Sequence, residues 1–378
     1  MRIVYQTPES PVSWDEQLYA AQREAGLCQS TYWARVISRV DQAKPIHLTA
    51  EEGNEIVGQL LLFHKPPFDR QTRQGIDNLT GLRRGLPLVL EWLDGPVIHC
   101  PQSAGDILKG FLKWVERYAL THAIGVVRSN GFAVTSRLSQ TPLIVTALAE
   151  FGYKSSKWAT LLVDLAVDEE HLWYRLDQAA RNKIRKCERE RVRVRKIIDF
   201  QDYIVNYHKP YAMAKEAYGG TPSPLYVAQV MFEEDLRGYN TYFVAESQDG
   251  QVLATLGMYI FNGTATEMAS ALTPAAHELK IPAQDILHWE MIKYAKAHGC
   301  HTFNLAGIAP EPRDAKEAGI RRFKEKWGGR YVEYYRFEKV MWTWRVWCKA
   351  LSLPGRIRKI SRGFFSTKGN SASNVVAS

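Results

Sequence analysis

"EFGYKSSKWATLLVDL", Glu150–Leu165, passes through a Phe-Gly turn into alternating and then continuous apolar residues, the pattern of a strand that enters a sheet. The stretch "KWGGRYVEYYRFEKV", Lys326–Val340, repeats this 176 positions later, with Trp327-Gly328 standing on Phe151-Gly152. At the same offset the helix-like "WVERYALTHA" (Trp114–Ala123) meets "WEMIKYAKAHG" (Trp289–Gly299), so that Tyr118-Ala119 falls on Tyr294-Ala295. Earlier in each half a hairpin pattern recurs, "HLTAEEGNEIVGQLLLF" beside "YFVAESQDGQVLATLGMYIF". Matches that share one offset point to a duplicated unit.

Each half reads as a helix, a hairpin, further strand material, a long helix, a short strand, another helix and a final strand. In the second half, Ile286, Trp289, Ile292 and Ala295-Lys296 keep helical spacing and Gly299 supplies a stop. The expected class is α/β (α+β): two domains in tandem, each a mixed sheet flanked by helices. The boundaries expected are 1–155 and 156–340, followed by a basic, Trp-containing helix and a disordered tail over 341–378.

A chain of 378 residues is long for one core, which agrees with two domains. The formal net charge of +9 favours anionic partners such as phosphorylated substrates, RNA or an acidic membrane surface. Five cysteines lie scattered, with no C-x-x-C pair, which argues against a disulfide framework and against a zinc site. The N-terminus lacks an apolar leader core and no apolar run is long enough to span a bilayer, so a cytoplasmic location is expected.

Two basic stretches stand out. From Asp168 one helix is expected, with Leu172, Trp173, Leu176, Ala180, Ile184 and Cys187 on one stripe and Arg181, Arg185 and Arg189 on another face. Helical geometry turns Lys183 towards the apolar stripe, where it snorkels or faces a cleft. "AGIRRFKEKWGGRYVEY", Ala318–Tyr334, sets five cations at a helix-to-strand junction.

"WATLLVDL" (Trp158–Leu165), "RNKIRKCE" (Arg181–Glu188), "LHWEMIKYAKAHGC" (Leu287–Cys300), "FNLAGI" (Phe303–Ile308) and "RRFKEKWGG" (Arg321–Gly329) together resemble the FemAB/FemX family of peptidoglycan aminoacyltransferases. The resemblance is strongest over roughly residues 156 to 340. It implies two domains like the GNAT acyltransferase fold and transfer of an aminoacyl group from aminoacyl-tRNA to an amine of a cell-wall or envelope precursor, phosphorylated or lipid-linked. No cofactor is implied beyond that co-substrate. The family's functional lysine falls on Lys324, with Phe323 packing beneath it and Arg322 alongside, and Arg181, Lys183 and Arg185 match its basic helix. Asn304 and Ala306 stand where the family often writes Asp and Gly, and Lys215 stands near where it often has an arginine for the acceptor's phosphates.

A cation at Lys324 suits the chemistry, because transfer from an ester to an amine passes through a tetrahedral oxyanion. The bland alternative is an exposed helix C-terminal lysine favoured by the helix dipole. For the proton acceptor the candidate is Glu267, which interrupts the apolar "TATEMASAL"; its alternative is a carboxylate on a solvated strand face. Asp77 and Glu91 are weaker candidates.

Two other functions compete. An acyl-CoA-dependent GNAT N-acyltransferase of envelope polysaccharide metabolism needs backbone amides in a glycine-rich turn, and "LKIPAQDILHW" (Leu279–Trp289) has Pro282 and no glycine there. A non-catalytic basic protein docking on RNA or membrane draws on Trp342, Trp344 and Trp347 followed by Arg356, Arg358, Lys359 and Arg362, a composition suited to peripheral contact with anionic lipid through 341–362.

Overall fold

The structure, a computed structural model, describes residues 1–6, 13–21, 25–66, 87–130, 141–217 and 219–350. Asp77 and the basic residues from Arg356 on lie outside them. The described residues form two compact units, one within 1–157 together with 334–350, the other within 158–333.

In the first unit, β1 (Arg2–Gln6), β2 (Lys44–Glu52), β3 (Glu55–Lys65), β4 (Leu88–Leu93) and β6 (Ile124–Asn130) stand side by side in that order, with the short β5 (Val97–Ile98) on β3. All neighbours are antiparallel except β4 and β6, which are parallel. Helices α1 (Trp14–Ala20), α2 (Thr31–Val40), α3 (Ala104–Thr121) and α4 (Thr141–Glu150) flank the sheet. The inner face of α3, Ile107, Phe111, Leu112 and Val115, joins Leu48, Leu60, Leu62 and Leu90 of the strands in one core.

The second unit repeats this plan. It contains β7 (Lys154–Asp164), α5 (Glu169–Arg175), α6 (Gln178–Arg189), β8 (Arg193–Lys196), α7 (Lys209–Ala217), α8 (Leu225–Glu234), β9 (Asn240–Glu246), β10 (Val252–Phe261), β11 (Thr264–Leu272), α9 (Pro274–Glu278), α10 (Ala283–Ala297), β12 (Thr302–Ile308) and α11 (Ala315–Glu325); the strand β13 (Arg330–Val340) follows, and from Tyr334 it belongs to the first unit. A last helix, α12 (Trp342–Ala350), follows. Its sheet runs β8-β9-β10-β11-β12-β7. β8 to β11 are antiparallel neighbours, and β11 and β12 are parallel, as β4 and β6 are in the first unit. It is a mixed sheet flanked by helices, used twice.

The 176-residue offset survives at the ends of the terminal strands, 154 matching 330 and 164 matching 340. It also shows where each strand goes. In the first unit β6 is completed by β13, with Val126 opposite Val340 and Arg128 opposite Glu338. In the second, β12 is completed by β7, with Thr302 opposite Asp164 and Asn304 opposite Leu162. Each half therefore receives its closing strand from the other half of the sequence, in the same register.

The single helix expected from Asp168 is two. Leu176 takes an extended conformation, and Asp177 begins α6 by accepting a 2.6 Å hydrogen bond from the Ala179 amide. Its apolar stripe is buried as expected, but Lys183 is exposed and is not turned into that stripe. At the other end of the unit, Trp327-Gly328-Gly329 stops α11. Gly328 has φ of +70°, and a Cβ there would meet the Arg175 carbonyl oxygen at 2.7 Å, so both conformation and space call for glycine.

Candidate active site

The second sheet opens at one place. The ladder between β11 and β12 ends at Thr266 and Asn304, although the strands run on to Leu272 and Ile308. Both strands are bent there. β11 has one extra residue against β10 between Glu267 and Ser270, and β12 breaks register with β7 between Asn304 and Gly307. The β12 bulge places Ala306 at φ of +58°, a conformation that suits glycine. Asn304 holds the bulge, since its Oδ1 accepts from the Thr160 hydroxyl at 2.6 Å and from the Ala306 amide at 3.0 Å. Asn304 is thus occupied by the backbone it shapes.

Glu267 is the first residue of β11 beyond the last rung. It is only 3% exposed, which removes the solvated-face reading. Across the opening, α11 delivers Lys324, 7% exposed, whose Nζ donates to the Gly307 carbonyl at 3.3 Å. An ammonium has three hydrogens, and the other two of Lys324 have no hydrogen-bond partner among the described residues. The lysine is therefore a buried cation aimed into the sheet opening, not an exposed helix-end charge.

The electrostatics follow from burial. Desolvation pushes the Lys324 pKa down, and the charge of Glu267 opposes this. Burial alone would raise the pKa of Glu267, but the Lys324 charge and then His288 outweigh it and hold the carboxyl below its usual range. Lys215, on α7, is lowered chiefly by desolvation and next by the charge of Lys316, while Glu267 acts in its favour. Lys215 is half-buried, with its Nζ 5.5 Å from the Tyr211 ring centre. Two lysines, Lys324 and Lys215, therefore act on one glutamate. The site has a surplus of positive charge, which suits an anion or a developing negative charge.

The other expected site residues lie elsewhere. Arg181 donates to the carbonyls of Tyr174 at 3.1 Å and Leu176 at 2.5 Å and so caps the end of α5. Arg185 is exposed, its guanidinium 5.5 Å from the Trp173 ring centre. Arg322 is exposed on α11. Phe323 does not lie beneath Lys324: the cation over its ring is Lys326, at 3.8 Å, which Asp285 holds in a 2.5 Å ion pair. Glu91 is spent on a buried ion pair with Lys65, at 3.3 Å.

One component was not expected. His288, on α10 and fully buried, points its Nε2 at Glu267 Oε2 over 3.5 Å. Its ring stacks on Trp327 at 5.3 Å and meets the edge of Phe323 at 5.0 Å. Helical spacing read α10 as amphipathic, yet every residue from Ala283 to Trp289 is buried. A histidine in the middle of such a run was the available signal.

Beside the opening is a small aromatic pocket, lined by Tyr203, Tyr207, Tyr211, Met231, Tyr242 and Met268 among others. Tyr207 donates to the Ala269 carbonyl at 2.6 Å, two residues along β11 from Glu267. No cluster of His, Cys, Asp or Glu able to hold a metal ion occurs among the described residues, and none of their helices is long and apolar enough to cross a membrane.

Residues 231–337, which contain Glu267, His288 and Lys324, match the model of the FemAB family. This stretch of the chain is similar to the FemAB family. Among solved structures it is similar to FemX, with a TM-score of 0.70 at 12% identity over 90% of this chain and 98% of that one. It is also similar to L-PGS from Bacillus licheniformis, with a TM-score of 0.52 at 13% identity over 88% and 93% of the two chains. A tandem GNAT protein from the clavulanic acid biosynthesis pathway gives 0.53 at 10% identity over 90% and 98%. These likenesses give the fold, a tandem of GNAT-like domains. No curated protein matches the sequence.

Proposed function

We propose that this protein is an acyltransferase of the FemAB kind, acting in the cell envelope, that moves an aminoacyl group from aminoacyl-tRNA to an amine of a phosphorylated or lipid-linked precursor. The observation that carries this reading is the buried ammonium of Lys324, with two uncommitted hydrogens, at the opening between β11 and β12. When an amine adds to an ester carbonyl, the carbonyl oxygen becomes an oxyanion. A fixed, desolvated cation stabilises that charge more than it stabilises the neutral ester. Glu267, ionised beside it, accepts the amine's proton, and that proton leaves with the hydroxyl of the departing tRNA ribose. Lys215 and Lys316 add positive potential for the phosphates of either substrate.

The start of α10 favours this donor over acyl-CoA. The Ala283 amide donates to the Ile281 carbonyl and the Asp285 amide to the Pro282 carbonyl, both at 2.9 Å, so neither is free for a pyrophosphate. Asp285 further places a carboxylate in that first turn.

Transfer of a radiolabelled amino acid from charged tRNA to a muropeptide precursor by the purified chain tests the proposal. Transfer that needs tRNA and not acyl-CoA is expected. Transfer from acyl-CoA alone, with none from charged tRNA, would overturn the donor assignment.

A further inference from the structure

The hydrogen-bonding inventory around His288 leaves one proton to account for. Its Nδ1 lies 2.8 Å from the Gln284 carbonyl oxygen, which can only accept, and 3.3 Å from the Gln284 side-chain nitrogen; the shorter contact assigns Nδ1 a hydrogen. Nε2 then faces Glu267 Oε2 at 3.5 Å, and neither atom has another hydrogen-bond partner, although both are out of reach of solvent. Two bare lone pairs held together in a dry site repel, and a buried polar atom left unpaired is costly. One hydrogen between the two atoms removes both penalties. The ring cannot turn away, because Trp327 stacks on its face and Phe323 meets it edge-on.

We propose that His288 and Glu267 form a proton-sharing pair in which His288 is a positioning residue: its Nε2 hydrogen pins Oε2 and leaves Oε1 as the oxygen that takes the proton of the attacking amine. This rests on the acyl-transfer reading above. Oε1 accepts from the Ser270 hydroxyl at 3.2 Å and keeps a second lone pair. The step balances. A neutral amine forms the C–N bond, its N–H proton passes to Oε1, the ester C–O bond breaks, and the same proton moves to the leaving alkoxide. The proton shared with His288 is conserved throughout.

The charged and titratable groups facing the pair are Lys324 from α11, Lys215 from α7 and Tyr207 from the short helix Tyr203–His208 that runs into α7. On the far side of the ring, Lys326 covers Phe323 and is held by Asp285. Without the shared hydrogen Oε2 faces a bare Nε2 and the carboxylate is no longer held, so an alkaline limb in the rate of transfer is the outcome the test below looks for.

The test uses the full chain with His288→Phe, which fills the space without a donor, and His288→Gln, which keeps an N–H at every pH. Proton and nitrogen NMR of the histidine side chains reads the pair without any substrate. A far-downfield N–H resonance in the wild type that vanishes in Glu267→Gln is expected. In the transfer assay, His288→Phe is expected to lower kcat by about tenfold to a hundredfold with KM unchanged. His288→Gln is expected to recover most of the rate and to lose the alkaline limb. Absence of the resonance in the wild type, or an alkaline limb unchanged in His288→Gln, overturns the proposal. Should His288→Phe fail to fold, these two readouts still decide. A wild type that shows the resonance but transfers nothing overturns the acyl-transfer reading alone and leaves the proton-sharing pair standing.

Discussion

Ala306 shows how much a single backbone conformation can cost. Its φ of +58° lies in the left-handed region, where an alanine Cβ is crowded and glycine is not. Ala306→Gly is expected to raise stability by about 0.5–1 kcal/mol in urea unfolding. A loss of stability would show that the bulge is held by contacts of the methyl group. His47 gives a pH signature. It is 2% exposed, neither ring nitrogen has a partner, and burial lowers its pKa to about 4, with the Asp15 charge opposing. The unfolded chain then binds the proton more readily, so this contribution is present at neutral pH and is lost as pH falls from about 6.5 towards 4. In His47→Phe the stability is expected to vary less with pH across that window; an identical profile would remove His47 as the cause.

At the scale of the element, the opening between β11 and β12 depends on α10 and α11 being fixed against each other. The Lys326–Asp285 pair does this, with both side chains nearly buried. Removing one partner of such a pair strands the other charge, so Asp285→Ala is expected to cost about 3–5 kcal/mol in denaturant unfolding. A cost below about 1 kcal/mol would place the pair in the weak, solvent-screened class. Much at this scale was legible in the sequence. The hairpins, the Gly-Gly stop and the buried stripe Leu172–Cys187 follow from period and turn chemistry alone. What was not legible arises from tertiary contact. Periodicity cannot show that Leu176 turns extended, that Arg181 is spent on carbonyls, or that the first two turns of α10 are buried on all sides and so bring His288 to Glu267. Lys324 was read from the motif that contains it, whereas its partner Gly307 depends on a bulge that no local pattern announces.

In the molecule as a whole, the duplication is also an exchange of strands. The repeated offset revealed the copies, but an offset does not say which copy a strand joins, and sheet pairing settled that β13 closes on β6 and β7 on β12. The fragment 1–157 therefore lacks the strand that covers β6, and a bare central edge favours aggregation. By circular dichroism and sedimentation it is expected to be unfolded or associated, and a folded monomer would contradict the exchange. The net charge of +9 adds a global field, so binding of charged tRNA is expected to weaken steeply between 50 and 200 mM salt, whereas salt-independent binding would remove that role. The claim on which the rest depends is that the Lys324 ammonium meets the developing oxyanion. Its most direct test is the single-turnover rate of aminoacyl transfer by Lys324→Met, with donor binding and thermal unfolding measured on the same protein. A fall of about 10²–10³-fold in rate with binding retained is predicted; a folded variant that transfers within threefold of the wild type would contradict the account.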